Sequence, residues 1–107
     1  MKEVDSKEFS SLVEKAEKDE NFVILDIRTK SEFESGHIKN AVNIDYYQDF
    51  ENQIKSLDKN KIYLVYCRTG NRSDDGTKIM KNAGFKKVYD LSGGIVAWIN
   101  SGKDVVS

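Results

Sequence analysis

The sequence predicts a single α/β domain, with a mainly parallel sheet that carries helices on both faces. Short apolar runs rich in β-branched and aromatic residues alternate along the chain with segments of helical spacing. With 107 residues, the chain is too short for two ordinary domains, and its 38 % of hydrophobic residues is enough for one core. We therefore expect one domain over residues 1–107.

Four runs have the composition of strands that are buried on both faces. Residues 22–25 and 41–44 form the first two runs, and residues 62–66 and 87–89 form the last two. Asp26 and Asp90 stand where the first and last runs are expected to end. No proline occurs in the chain, so its turns depend on glycine, asparagine and aspartate.

The segments between these strands have the patterns and end signals of helices. Asp5 with Glu8 has capping-box spacing, which predicts a first helix over residues 6–19. Thr29 with Glu32 has the same spacing and predicts a short second helix that ends at Gly36. The apolar helical faces comprise Phe9, Leu12, Val13 and Ala16 in the first helix, Tyr47, Phe50, Ile54 and Leu57 in the third, and Ile79, Met80 and Ala83 in the fourth, which Gly84 is expected to end.

Composition excludes several classes of function. Seventeen Lys and Arg against 18 Asp and Glu give a formal net charge of −1, so we expect no nucleic-acid partner. No apolar run approaches the roughly 20 residues that cross a bilayer, and the acidic N-terminus differs from a signal peptide, so we expect a cytoplasmic protein without membrane contact. One cysteine and one histidine exclude an internal disulfide and a cysteine or multi-histidine metal cluster.

The only cysteine, Cys67, directly follows the most apolar run, where ligands bind in parallel α/β sheets. Gly70 and Asn71 tolerate unusual backbone angles, so the loop can curl and aim its amides at one point beside a helix N-terminus. Arg68 and Arg72 add positive charge, and we expect these groups to stabilise the thiolate as a nucleophile without a histidine base. A lone cysteine at a strand end can also be a small core residue, but this concentration of anion-binding groups favours catalysis.

The loop from Cys67 to Ser73 resembles the active-site loop of rhodanese-like sulfurtransferases, whose short form reads Cys-Arg-x-Gly-x-Arg-Ser. The resemblance extends in order over nearly the whole chain. Its further motifs are Leu25-Asp26-Ile27-Arg28, Glu32-Phe33, Gly36-His37-Ile38, Ala41-Val42-Asn43-Ile44, Gly84-Phe85, Val88-Tyr89, Leu91, Gly93-Gly94-Ile95 and Ala97-Trp98. It implies a three-layer rhodanese-like fold with a five-stranded, mainly parallel sheet, in which a short first strand lies around residues 3–4.

The resemblance also implies a reaction and a role for each loop residue. Cys67 would carry a persulfide, taking sulfur from thiosulfate or a related sulfane donor and passing it to cyanide or a thiol, without a cofactor or metal. The thiol could belong to a thioredoxin-like or sulfur-relay protein. The implied substrate-binding residues, whose backbone cradles the outer sulfur, are Arg68, Thr69, Gly70, Asn71, Arg72 and Ser73. Arg68 would face the anionic donor, while Arg72 would brace the loop and add positive field.

Two other functions stay open. A persulfide carrier or sensor would hand sulfur to a protein partner without turnover, and Asp74 and Asp75 favour it because they offset part of the positive field. A phosphatase or arsenate reductase is disfavoured, because relatives of that kind place five residues between cysteine and arginine. Four residues separate Cys67 from Arg72 here.

Other polar or aromatic residues are expected to be structural. His37 lies in a scaffold motif, and Trp98 should pack a C-terminal helix onto the sheet. Arg28 and Glu32, four residues apart around a helix start, are predicted to form a salt bridge. Gly76 weakens its helix by up to about 1 kcal/mol relative to alanine, so close packing or loop mobility should explain it.

Overall fold

In the computed structural model, which describes residues 1–107, five parallel strands form one sheet in the order β1-β5-β4-β2-β3. The strands are β1 (Lys2–Val4), β2 (Phe22–Asp26), β3 (Val42–Asn43), β4 (Ile62–Tyr66) and β5 (Lys87–Leu91). The helices are α1 (Ser6–Ala16), α2 (Lys30–Ser35), α3 (Phe50–Ile54), α4 (Asn71–Asn82) and α5 (Gly94–Asn100). The predicted α/β class and parallel sheet are confirmed.

The alternation of strand side chains divides the core in two. One cluster lies under α3 and α4 and the other under α1 and α5, so helices cover both faces of the sheet. The first cluster contains Leu25, Ile27, Ile44, Phe50, Ile54, Tyr63, Val65, Cys67, Met80, Phe85 and Val88. The second contains Val4, Phe9, Ile24, Ile38, Leu64, Tyr66, Leu91, Ile95 and Trp98. The expected packing of Trp98 is confirmed, since its ring meets Phe9 edge to face at 6.1 Å.

The predicted helix starts are confirmed by their caps. Asp5 accepts a hydrogen bond from the Glu8 amide at 2.9 Å. Thr29 and Glu32 complete a reciprocal capping box, with bonds of 3.2 and 3.1 Å. Gly84 follows α4 with φ of 96°, the left-handed conformation expected there.

Several helices and strands are shorter than predicted. Helix α1 ends at Ala16 rather than at residue 19, and β3 pairs through only two residues at the sheet edge. Helix α3 covers only five residues, because Asp49 before it has a φ of 52° and breaks the helical path. Tyr47, placed by periodicity on the buried face of this helix, lies outside it and is 63 % exposed.

The predicted salt bridge between Arg28 and Glu32 is wrong. Arg28 is buried and folds back onto Asp26, with its Nη2 atom 2.8 Å from Asp26 Oδ2, and it also donates to the Gly36 carbonyl. The Asp26 carboxylate also accepts from the Arg28 backbone amide at 2.9 Å. This compact pair closes the turn after β2, and Glu32 is left to face α4.

The two expectations for His37 and Gly76 have clear outcomes. His37 stacks on Phe33 with ring centroids 3.8 Å apart and its Nδ1 lies 2.8 Å from the Phe33 carbonyl, as a scaffold residue would. A Cβ atom at position 76 would lie 2.8 Å from the Cδ1 atom of buried Ile27. Close packing therefore explains Gly76.

None of the helices has the length and apolar composition needed to cross a membrane.

Asp26→Asn is expected to lower the free energy of unfolding by about 3 kcal/mol, because it leaves the buried Arg28 guanidinium without a counter-charge. Urea unfolding at pH 7 measures the loss. The matched control is Asp74→Asn, which removes one partner of the exposed pair with Lys78 and should cost less than about 1 kcal/mol. Equal losses in the two variants would contradict the role of the buried pair.

Candidate active site

Cys67 follows the last residue of β4 and is buried, with 1 % of its surface exposed. Its thiol lies in the first core cluster, at the carboxyl end of the sheet. The residues that follow curl into a loop, and α4 begins at Asn71. The cysteine thus lies between the end of a central strand and the start of a helix.

Two backbone amides point at the sulfur. Gly70 N lies 3.1 Å and Ser73 N 3.3 Å from Cys67 Sγ. The Ser73 hydroxyl lies 3.4 Å from the same atom. Gly70 reaches this position with φ of 108°, which residues with a side chain rarely adopt. The sulfur therefore occupies a small anion-binding cradle at the N-terminus of a twelve-residue helix.

A second helix holds the cradle from behind. The first amides of α5 donate to the loop backbone, from Ile95 N to the Cys67 carbonyl at 2.9 Å and from Val96 N to the Arg68 carbonyl at 3.1 Å. Gly94 lies so close that a Cβ atom there would be 2.4 Å from the Arg68 carbonyl oxygen. In the sequence, the glycine pair was noted only as part of a family motif. The position of the pair between a predicted strand and a predicted helix could have indicated this close approach.

Arg72 braces the loop, but its charge is paired. Its two terminal nitrogens contact the two Glu32 oxygens at 2.7 and 3.0 Å, and its guanidinium lies 5.7 Å from the Tyr47 ring centroid. The hydrogen bonds from Arg72 are the main cause that lowers the pKa of Glu32 to about 2, and the same pair raises the pKa of Arg72. The predicted positive field of Arg72 is therefore partly offset by Glu32, although the negative charge of Cys67 is also among the causes that raise the pKa of Arg72.

The remaining loop side chains face outward. Arg68, Thr69 and Asn71 are exposed, and Arg68 forms no salt bridge. Arg68 is thus the one loop cation without a carboxylate partner. The acidic residues after the loop are engaged elsewhere, Asp74 with Lys78 at 3.3 Å and Asp75 with the Tyr46 hydroxyl.

Sequence reasoning missed one charged group behind the loop. Asp90 is 1 % exposed, and its Oδ1 atom has no hydrogen-bond partner. Burial is the main cause that raises its pKa to about 6; the nearby carboxylates of Glu3 and Asp74 add to the rise, and the Ser73 hydroxyl opposes it. In the sequence this residue appeared only as the end of a strand.

Comparison with known proteins identifies the family. The family sequence model of the rhodanese-like domain matches residues 7–101. The chain belongs to the rhodanese-like family. The rhodanese-related protein of Thermoplasma volcanium has the same fold, with a TM-score of 0.85, 27 % identity, and coverage of 99 % of this chain and 98 % of that one.

Relatives of this rhodanese-like chain carry different names. YtwF of Bacillus subtilis, by name a candidate sulfurtransferase, is 38 % identical over 83 % of this chain and 84 % of its own length. YrkF of the same organism, by name a candidate sulfur carrier protein, is 34 % identical over 79 % of this chain and 45 % of its own. The tRNA uridine(34) hydroxylase of Cytophaga hutchinsonii is 40 % identical over 78 % of this chain. The chain spans less than a third of the hydroxylases that it matches, 28 % in this case.

Gly94→Ala is expected to destabilise the rhodanese-like fold by at least about 3 kcal/mol, since the methyl group meets the Arg68 backbone and the residue has a φ of 60°. Thermal and urea unfolding measure the loss. Gly102→Ala is the control. Gly102 has a similar φ of 87° with open space around it, so this substitution should lower the free energy of unfolding only by the backbone strain, about 1 kcal/mol. Similar losses in both would mean that α5 does not hold the loop by this close approach.

Asp90→Asn is expected to raise the free energy of unfolding at pH 7.5 by about 2 kcal/mol. The pKa of Asp90 is higher in the folded chain than in the unfolded one, so its ionisation costs stability as the pH rises from about 4 to about 6. Asparagine removes that cost, and the gain should vanish below about pH 3, where Asp90 is neutral in both the folded and the unfolded chain. Urea unfolding across this range measures it, with exposed Glu17→Gln as the control. A gain that is independent of pH would contradict the assignment.

Proposed function

We propose that this chain is a sulfurtransferase that moves a sulfane sulfur through a persulfide on Cys67. The Cys67 thiolate attacks the outer sulfur of thiosulfate, the sulfur–sulfur bond breaks, and sulfite leaves with the bonding electron pair. Cyanide or an acceptor thiolate then attacks the outer sulfur of the persulfide, which regenerates the Cys67 thiolate. The observation that carries this proposal is the pair of amides, from Gly70 and Ser73, that donate to Sγ at 3.1 and 3.3 Å.

The burial of Cys67 supports transfer of a single atom. Because only 1 % of the Cys67 surface is exposed, its sulfur has little room for a large reacting group. A persulfide adds only one atom, next to the amides that already donate to the sulfur. The donor would approach past the exposed residues Arg68, Thr69 and Asn71. Because a persulfide and a thiolate both carry negative charge, the same helix N-terminus would stabilise each state.

A persulfide carrier is the second candidate. With Arg72 paired to Glu32, the loop keeps one unpaired cation, which gives a dianion such as thiosulfate a weak electrostatic attraction. The likeness to YrkF agrees with this candidate. Its acceptor would be a thiol on a partner such as a thioredoxin-like or sulfur-relay protein.

We also place the protein in the cytoplasm, where reducing conditions keep such a thiol active, and assign it no nucleic-acid partner.

Intact-mass spectrometry after exposure to thiosulfate tests the persulfide. The wild-type chain should gain the mass of one sulfur atom, which a reductant removes, and Cys67→Ser should gain nothing. The steady-state rate of thiocyanate formation from thiosulfate and cyanide, compared with that of Cys67→Ser, then separates the two candidates, because a sulfurtransferase sustains turnover with these small molecules, whereas a carrier passes its sulfur efficiently only to a partner thiol. A wild-type chain that gains no sulfur from thiosulfate or from an organic polysulfide would contradict both.

Arg68→Ala should slow sulfur loading from thiosulfate about fivefold, because it removes the unpaired cation beside an anionic donor. Loading from an uncharged organic polysulfide should change little. Arg68→Lys is the matched control, since it retains the charge and should load nearly as fast as wild type. Equal slowing with both donors would remove Arg68 from donor recognition.

A further inference from the structure

Asp90 is a buried carboxyl group near the loop that the proposed sulfur transfer does not use. It pairs in register with Val65 of β4 and Glu3 of β1, so its side chain lies on the sheet face that carries Cys67 and is covered by α4. Its Oδ1 atom is buried without a hydrogen-bond partner. A buried acceptor left unpaired is costly, which makes a role in the site a better explanation than packing.

The Ser73 hydroxyl connects this carboxyl group to the nucleophile. Ser73 is fully buried, its Oγ atom lies 3.4 Å from Cys67 Sγ, and it faces Asp90 closely enough to favour the ionised carboxylate. In the structure the hydroxyl donates to the Gly70 carbonyl at 3.3 Å. The Ser73 hydroxyl thus contacts the Gly70 carbonyl and the Cys67 sulfur and also interacts with the Asp90 carboxyl group.

We propose that Asp90 is a positioning residue that sets, through the Ser73 hydroxyl, how strongly Cys67 is held as a thiolate. When Asp90 is ionised, it draws the Ser73 proton and repels a second negative charge on the sulfur. When Asp90 is protonated, it can donate to Ser73 Oγ, and the Ser73 proton is free to bind the thiolate. The inference depends on the proposed function in one respect only, namely that the Cys67 thiolate serves sulfur transfer.

The groups that face Asp90 define the direction of the pH response. Glu3 on β1 and Asp74 on α4 are acidic and hold Asp90 protonated to a higher pH, whereas Ser73 favours ionisation. No cation pairs with Asp90. With the pKa of Asp90 raised to about 6, the change from the activating to the restraining state falls between about pH 5 and pH 7.

The test is the rate of Cys67 alkylation by iodoacetamide, an uncharged reagent, between pH 5 and pH 7.5. Asp90→Asn mimics the protonated carboxyl, so the wild-type rate divided by the Asp90→Asn rate should be near one at pH 5. It should fall to about one fifth at pH 7.5, with a midpoint near pH 6. A ratio that stays constant or rises with pH would overturn the proposal, because a purely structural role of Asp90 only destabilises the wild-type fold at higher pH and makes the buried thiol easier to reach.

Two further variants identify the path. In a Ser73→Ala background, Asp90→Asn should change the rate at pH 7.5 by less than half the factor seen with Ser73 present, and an undiminished factor would overturn the role of the hydroxyl. Glu3→Gln should move the inflection of the wild-type profile to lower pH, because it removes a repelling charge. This control needs no substitution at position 90, and an unmoved inflection would overturn the assignment of the titration to Asp90.

Alkylation does not depend on sulfur transfer, so the two proposals can fail separately. Sulfur loading that succeeds beside a flat alkylation ratio overturns the role of Asp90 alone. A stepped ratio in a chain that never gains sulfur overturns the proposed function and leaves Asp90 as a regulator of a reactive thiol.

Discussion

The contact between Cys67 Sγ and the amides of Gly70 and Ser73 is the interaction on which the rest of the site depends. A buried thiol is ordinarily an inert core residue, and burial alone disfavours its anion. Two converging amides at a helix N-terminus offset part of this cost for a negatively charged sulfur, because they donate hydrogen bonds to it where water cannot. The same amides can serve a thiolate or a persulfide, so one arrangement suits both ends of a sulfur-transfer cycle.

The surrounding fold holds this contact in place. The N-termini of α4 and α5 meet at the carboxyl end of the sheet, one helix donating to the sulfur and the other to the Cys67 and Arg68 carbonyls. The ion pair of Arg72 with Glu32 ties α4 to α2 at 2.7 Å. Rigidity therefore comes from backbone hydrogen bonds and one bidentate pair, while the electrostatic contribution from loop arginines is smaller than their number indicates.

The sequence was sufficient to predict what local composition determines. The run at residues 62–66, the caps at Asp5 and Thr29, and the loop at Cys67 each follow from neighbours in the chain. The partners of Arg28 and Glu32 could not be predicted, because burial in the turn after β2 outweighs helical spacing. The position of Asp90 beside Ser73 also needs the strand order, which brings β5 next to β4.

Amide NMR spectra of the isotope-labelled chain, recorded before and after loading with a sulfane donor, test the central contact most directly. When intact mass confirms one added sulfur, the Gly70 and Ser73 amide resonances should show some of the largest shifts, and a reductant should reverse them. Cys67→Ser should show neither the mass gain nor the shifts. Loaded protein in which these two resonances stay in place while others move would contradict the assignment of the cradle.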